Sequence, residues 1–340
     1  MSEAKTQTIR YASLIVLVVQ SCALVLLLRW SRTRQVDMYI VSSVVCTVEL
    51  IKLVMSLAIE CFRLKSISKM ADSVVNNVVL NPKETLLMLV PAALYAAQNN
   101  MVFVAISNLD TMTFQVTYQL KILTTALFSV FLLKKSLTVT QWMSLVILVA
   151  GVALVQMDSS GSSRTSENAV EQNRMLGFFM ICLCSLSSGF SGVYFEKIVK
   201  SRTGKFTKQP LSIWIRNFQL GIFGLAFSIM ALFVQDWEQV ATRGFFHGYD
   251  SVTMLIMAFQ AFGGLLVGIV ISYADNLLKG FATSLSIVLS SWLSYLFFDV
   301  VPSVELLIGC ALVILATYLY SLPVSEPVYR KVEDEPTSSQ

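Results

Sequence analysis

Residues 113–133 read TFQVTYQLKILTTALFSVFLL, a run of membrane length with one ionic residue, Lys121, near its middle. A helix needs about 20 predominantly apolar residues to cross the hydrocarbon core of a bilayer, and this run supplies them. A charge at the centre of such a helix costs roughly 2.5–3.5 kcal/mol on insertion scales, so it usually faces a cavity, a partner or a solute rather than lipid. At helical spacing Phe114, Thr117, Tyr118, Lys121, Thr124 and Thr125 share one face, and the opposite face is largely Val, Leu and Ile. The stretch therefore predicts both a membrane fold and a candidate site. Two readings of Lys121 follow: an ammonium that binds an anion, or half of an intramembrane pair with a carboxylate such as Glu49.

Outward from this run the same pattern recurs along the 340-residue chain, which is 55% hydrophobic and 14% charged. Apolar runs near 11–29, 38–60, 85–107, 111–133, 140–157, 175–196, 213–234, 251–274, 279–298 and 302–321 predict ten membrane helices. The polar opening decapeptide leads into a full-length span with no small-residue cleavage site, so that span is expected to remain as an anchor. Cys22, Cys46, Cys61, Cys182, Cys184 and Cys310 lie in or at the ends of apolar runs, which suits packing better than a disulfide framework or a zinc cluster. His247 is the only histidine, which argues against histidine–metal sites and imidazole-assisted nucleophilic catalysis. The sequence has no Walker loop, dinucleotide fingerprint, zinc-protease helix or nucleophile elbow.

Lys and Arg near helix ends set the orientation of a membrane protein. Grouping alternate loops with the termini puts about 17 of the 25 basic residues on one side and about 6 on the other, with Lys52 and Lys121 inside spans. Both termini are then expected in the cytosol, although Arg29, Arg32 and Arg34 in the first loop oppose the rule.

The Ser-, Asn- and Glu-rich segment 158–174 divides five helices from five. ISNLD at 106–110 matches ISYAD at 271–275, an offset of 165 residues, and past the turn LKI at 120–122 falls on LSI at 285–287 and Ser129 on Ser294. A repeat with an odd number of spans inserts its second copy upside down, as in many secondary transporters. The expected fold is an all-α integral membrane protein of ten transmembrane helices in two inverted five-helix repeats. The expected units are an N-terminal segment (1–10), a first repeat (11–157), a linker (158–174), a second repeat (175–321) and a disordered tail (322–340). Residues 62–84 are amphipathic and suit either a helix lying on headgroups or a plain connecting loop.

In repeat register Lys279 falls on Phe114, at the start of a helix that carries Thr283, Ser286, Ser290 and Ser294. Two lysines would then approach one cavity at different depths, and compact ammonium groups suit a diphosphate. Lys279 equally suits a helix end, where it snorkels to the interface. Tyr95, Gln98 and Asn99 line one face of the third helix, and the equivalent positions of the eighth are Gln260, Gly263 and Gly264. One wall is polar, able to bond ribose or base edges. The other is smooth, able to let a backbone or flat ring come close. Hydrogen bonding between helices is the competing reading of the amides. SSGFSG at 187–192 gathers small residues for close packing or a pocket wall, and Glu49 and Lys52, three apart, suit a gate or a structural pair. Arg216 and Asn217 either snorkel or face the cavity.

QNN at 98–100, SNLD at 107–110, QVTYQLKI at 115–122, GVYFEK at 192–197, WIRN at 214–217, GFF at 244–246, YADN at 273–276 and KGF at 279–281 together resemble the nucleotide-sugar transporters of the Golgi and endoplasmic reticulum. The resemblance implies a drug/metabolite-transporter-like fold. It implies a carrier and not an enzyme, without a cofactor or nucleic acid, that exchanges a cytosolic nucleotide sugar for a lumenal nucleoside monophosphate across a Golgi or endoplasmic-reticulum bilayer. The 158–174 linker would be lumenal and the 322–340 tail cytosolic. Lys121 and Lys279 would hold phosphate, and Tyr95, Gln98 and Asn99 would contact the nucleoside. Ser188, Gly189 and Asn217 would shape a base pocket, Glu49 and Lys52 would sit at the cavity, and Tyr118 and Phe114, on the face of Lys121, would also belong to the substrate-binding set. KILTTA at 121–126 resembles the UDP-galactose and UDP-N-acetylglucosamine branches, and Gly221 stands where the CMP-sialic acid branch has Tyr, so a uridine nucleotide is expected. Phe114 departs from the usual Tyr. The competing substrates are UDP-N-acetylgalactosamine or a CMP-linked sugar, and the competing class is an integral membrane glycosyltransferase. A homodimer and a complex with glycosyltransferases stay open as partner states.

Overall fold

The computed structural model describes residues 3–33, 37, 39–109, 114, 117–160, 174–201, 211–298 and 304–322, and the regular structure among them is helical. Ten long helices follow one another: α1 (Glu3–Thr33), α2 (Val41–Leu64), α3 (Leu89–Asn108), α4 (Leu120–Leu133), α5 (Val139–Ser160), α6 (Arg174–Lys200), α7 (Ile213–Ala231), α8 (Ser251–Tyr273), α9 (Asn276–Phe298) and α10 (Val304–Ser321). Each falls on one of the apolar runs. Among the described residues five helical stretches, Lys5–Leu28, Met175–Lys200, Ile213–Arg243, Ser251–Tyr273 and Val304–Ser321, are long and apolar enough to cross a membrane. Leu120–Leu133 and Val139–Val155 are shorter apolar helices, and residues 110–113 and 115–116 before the first of them lie outside the described residues. The 161–173 part of the linker, Asp110 and the tail from 323 also lie outside them.

Local chemistry sets the helix starts. Thr138 and Gln141 form a reciprocal capping box at α5, with bonds of 3.1 and 3.3 Å between each backbone N–H and the other's side chain. The Oδ1 of Asp250 accepts from Thr253 N at 2.8 Å before α8, and that of Asp275 from Leu278 N at 2.7 Å before α9. Residues 62–84 are mostly helix rather than loop. Ile67–Val74 has no buried residue, and Asn77 in the following π-turn is buried and accepts from the Gln219 amide at 3.0 Å.

The exterior is strongly apolar: Ile15, Val19, Phe131, Val146 and Tyr318 are all exposed, as lipid-facing positions are. Small residues set the tightest crossing, where α5 meets α10. A Cβ on Gly151 would lie 3.0 Å from Gly309 O, and one on Gly309 would lie 2.7 Å from Gly151 O. The most extensive contacts are α5 with α10, α3 with α6, α2 with α7, α4 with α6, α1 with α8 and with α9, α3 with α7, and α2 with α8. Exchanging α1–α5 for α6–α10 maps this set onto itself. The exchange reaches single bonds: Ser187 Oγ of α6 donates to Leu94 O at 3.4 Å, and Gln20 Nε2 of α1 donates to Phe259 O, 165 residues beyond Leu94, at 2.9 Å.

Candidate functional site

Among the helices lie two neighbouring cavity lobes that share part of their lining. The first, about 340 Å³, is lined by Tyr95, Lys121, Thr125, Ser188, Lys279 and Ser286 among others. The second, about 420 Å³, is lined by Gln20, Glu49, Lys52, Gln260, Gly263 and Gly264 among others. Ser21, Lys279 and Thr283 belong to both linings and mark the junction.

Lys121 is placed by aromatic and amide neighbours. Its ammonium sits 4.1 Å from the centroid of the Tyr118 ring, and Gln98 Nε2 donates to the Tyr118 hydroxyl at 2.9 Å, which fixes that ring. Phe114 stacks on Tyr118 with centroids 5.7 Å apart and packs with Ala105, Leu109 and Ile181, so it supports the tyrosine from outside the cavity lining. A cation–π contact contributes about 0.5–2 kcal/mol, less than the cost of the charge. Glu49, the alternative partner, is engaged by Lys52, whose Nζ reaches both carboxylate oxygens at 2.8 Å. The Lys121–Glu49 pair is therefore not formed, because a closer cation on the same helix has taken the carboxylate. Among the described residues, neither Lys121 nor Lys279 has an ion-pair partner.

The remaining predicted residues divide. Tyr95 and Ser188 line the first lobe, and Glu49 and Lys52 the second. Gly189 lies where α6 crosses α4, and a Cβ there would lie 2.8 Å from Thr124 C, so glycine permits the close crossing of the two helices. Asn217 is buried against Gly268 outside both linings, and its Nδ2 has no hydrogen-bond partner among the described residues. The Asn99 side chain lies outside the described ones. Arg216 does not snorkel: it is buried beside buried Glu84 at 3.6 Å and donates to Gln219 at 3.2 Å.

The eighth helix is not the smooth wall that its glycines suggest. A Cβ on Gly263 would lie 2.7 Å from Gln20 Cδ, and one on Gly264 would lie 3.1 Å from Lys52 Cδ and Cε, so polar chains from α1 and α2 fill both gaps. Gln20 and Ser21 are cavity-lining residues that the reading of α1 as an anchor passed over. The signal was present in LIVLVVQSCALVLLL at 14–28, a membrane run with one amide at its centre.

At the end that carries most basic loops, the buried Glu196 carboxylate ties several elements together. It accepts from Lys135 at 3.0 Å, Lys200 at 2.8 Å and the backbone N–H of Asn276 at 2.8 Å, and Lys135 also pairs with Asp275 at 3.1 Å. The network joins the α4–α5 connection to α6 and to the α8–α9 turn.

A multi-pass helical membrane protein whose cavity holds two ammonium groups without an ion-pair partner among the described residues has the form of a carrier for anionic solutes. This chain belongs to the nucleotide-sugar transporter family, whose family model matches residues 5–321. Among its relatives are the mouse UDP-N-acetylglucosamine transporter, 47% identical over 92% of this chain and 95% of that protein, and the human UDP-galactose translocator, 44% identical over 95% of this chain and 79% of that protein. A solved crystal structure of 14% identity superposes with a TM-score of 0.66 over 94% of this chain and 99% of that one, which shows a shared fold. The family consists of transporters, not enzymes, so the glycosyltransferase alternative is set aside.

Proposed function

We propose that this protein exchanges cytosolic UDP-galactose, UDP-N-acetylglucosamine or both for lumenal UMP in the Golgi membrane, by alternating access of two inverted five-helix repeats with both termini in the cytosol. The observation that carries the reading is the pair of lysines, Lys121 on α4 and Lys279 on α9, unpaired by any described carboxylate and facing one cavity from exchange-related helices. The substrate class follows the names of the relatives, and the repeat reading draws on helix contacts that survive exchange of the halves. A UDP-sugar and UMP each carry close to two negative charges at neutral pH, given a second phosphate pKa of about 6, so one lysine pair serves both and exchange moves little net charge. Alternating access requires the Glu196 network to open whenever the cavity faces the cytosol.

Proteoliposomes loaded with UMP should take up UDP-sugar faster than empty ones, and equal rates would sink the exchange reading. Lys121→Ala should lower UMP-driven uptake by about 100-fold or more, in the range seen when one member of a buried charge pair is removed. The variant's melting temperature in detergent should stay close to that of the parent protein. Lost assembly instead would identify a structural lysine.

A further inference from the structure

The helix Ile67–Val74, in the connection between α2 and α3, buries none of its residues. At helical spacing Ile67, Met70, Ala71 and Val74 share one face, and Ser68, Lys69, Asp72 and Ser73 share the other. Exposed apolar side chains flank it in the chain, Phe62 before it at 82% exposure and Val79 and Leu80 after it. An amphipathic helix whose apolar face stays uncovered between two membrane spans lies at the boundary of headgroups and acyl chains. We propose that this connection is a docking surface for the headgroups of anionic phospholipids in the leaflet at the basic-loop end. The proposal depends on the membrane fold and not on which solute is carried.

The cations of this surface are unspent. Lys65, Lys69 and Lys83 are exposed and have no ion-pair partner among the described residues. The nearby carboxylates are buried instead: Glu60 is held by Arg63 at 2.6 Å, and Glu84 lies beside Arg216. Lys65 caps α2 at φ 53°, in the left-handed region that glycine adopts freely and other residues adopt at a cost. The α2 dipole favours a cation there, but it gives no reason for Lys69, third in its helix, where the dipole opposes a cation. The connection is also anchored to α7 on both sides of the exposed helix. Glu60 accepts from Ser212 Oγ at 2.7 Å, and the Gln219 amide donates to Asn77 O at 3.0 Å and to Thr85 Oγ1 at 3.3 Å. The lysines therefore stand on a fixed frame.

The connection between α7 and α8, its counterpart when the halves are exchanged, is the internal control. It too exposes apolar side chains around a short helix, Trp237–Arg243, among them Phe233, Val234, Trp237 and Phe246. Its charges are of the opposite balance: residues 232–250 hold Asp236, Glu238 and Asp250 against Arg243, whereas residues 62–84 hold four bases against Asp72 and Glu84. Aromatic side chains among neutral headgroups account for the first of these surfaces. Apolar contact alone does not account for the second, whose lysines complement an anionic leaflet. Each lysine near such a leaflet strengthens binding about fivefold.

The test uses the full-length protein in detergent micelles, with dioleoyl phosphatidylserine and dioleoyl phosphatidylcholine as probes. The reading is the lipid concentration at which half of the rise in melting temperature is reached, since a ligand of the folded state stabilises it. Phosphatidylserine should act at about tenfold lower concentration than phosphatidylcholine. Combined Lys65→Gln, Lys69→Gln and Lys83→Gln should bring the two lipids within about twofold of each other, and arginine at the same three positions should keep them apart. Lys69→Gln alone should lose about fivefold and decides the matter if the triple variant does not fold. Salt at 1 M, where the Debye length is about 3 Å, should erase the difference in the parent protein. Glycerophosphoserine, the headgroup without acyl chains, should have no effect, and a rise in melting temperature with it would overturn the lipid assignment in favour of a soluble anion. Equal response to the two lipids in the parent protein, or a preference that the triple glutamine variant keeps, would also overturn it. Loss of that preference in Lys121→Ala would place the headgroup in the cavity instead.

Discussion

The α3 and α8 walls occupy exchange-related places and are built by opposite means. On α3 the polar groups belong to the helix: Tyr95 faces the first lobe, and Gln98 reaches across to hold the Tyr118 hydroxyl at 2.9 Å. On α8 the two positions that fall on Gln98 and Asn99 are Gly263 and Gly264, and the polarity arrives from outside, as Gln20 of α1 and Lys52 of α2. A wall's chemistry is thus decided by what its gaps admit as much as by what the helix carries. The two lobes share Lys279 and differ in what else they carry: the first adds Lys121, with no described counter-charge, and the second adds a compensated Glu49–Lys52 pair with amides.

Swapping the two designs should produce the largest effect. Gly263→Gln would copy the α3 residue onto α8, where the Gln20 side chain already fills the space, with its Oε1 2.8 Å from the new Cβ. Overpacking of a filled core costs about 1–3 kcal/mol, and Gln20 must also leave its bond to Phe259 O. A fall in detergent melting temperature of about 5 °C, with uptake of UDP-sugar lost, is the expected outcome. An unchanged melting temperature would mean that the α8 gap is open and the contrast between the walls false.

Much of this was legible in the sequence, for particular reasons. The helices followed from hydropathy, since a bilayer forces long apolar runs; Lys121 stood out by the cost of charge in such a run, and Lys279 by its repeat register with Phe114. The expected repeat offset set α3 in register with α8 and so drew both helices into the reading. What could not be read was the filling of a gap. A glycine states that something comes close, but its partner Gln20 lies more than 240 residues away on α1, and no local pattern links them. Gly189 illustrates the same limit, since the close approach there is that of Thr124 on α4, which no local pattern links to it. The placing of Phe114 under Tyr118 was hidden for another reason. A stripe on one helix face includes both the residues that line a cavity and those that brace them.

The contrast continues into the turns that follow the walls. Past α8 the turn is fastened, with Asn276 N bonded to Glu196 at 2.8 Å and Asp275 paired with Lys135 at 3.1 Å. Glu196→Gln would keep the shape and can still accept from Asn276, but it removes the charge that holds Lys135 and Lys200. Breaking a fully buried pair costs about 3–5 kcal/mol. Here both lysines are partly exposed, at 26% and 35%, and Lys135 keeps Asp275, so about 1–2 kcal/mol is expected. That equals a fivefold to thirtyfold shift toward the form open at the basic-loop end. A single cysteine introduced at Ser284, buried on α9, should react faster with a membrane-impermeant thiol reagent added from that side, in a background freed of the six native cysteines. Unchanged labelling would confine the network to local packing.

The smallest effect is expected from removing a group that α3 carries itself. Gln98→Leu deletes the donor to the Tyr118 hydroxyl while filling similar volume, and a net hydrogen bond contributes about 1 kcal/mol. The ring would still stack on Phe114, so Lys121 would keep its cation–π neighbour with less precise placement. Because that lysine is assigned to phosphate, common to both ligands, UMP and UDP-sugar affinities should weaken together by about fivefold. A loss confined to UDP-sugar in Gln98→Leu would show that the amide acts on a group that UMP lacks, and not through Lys121.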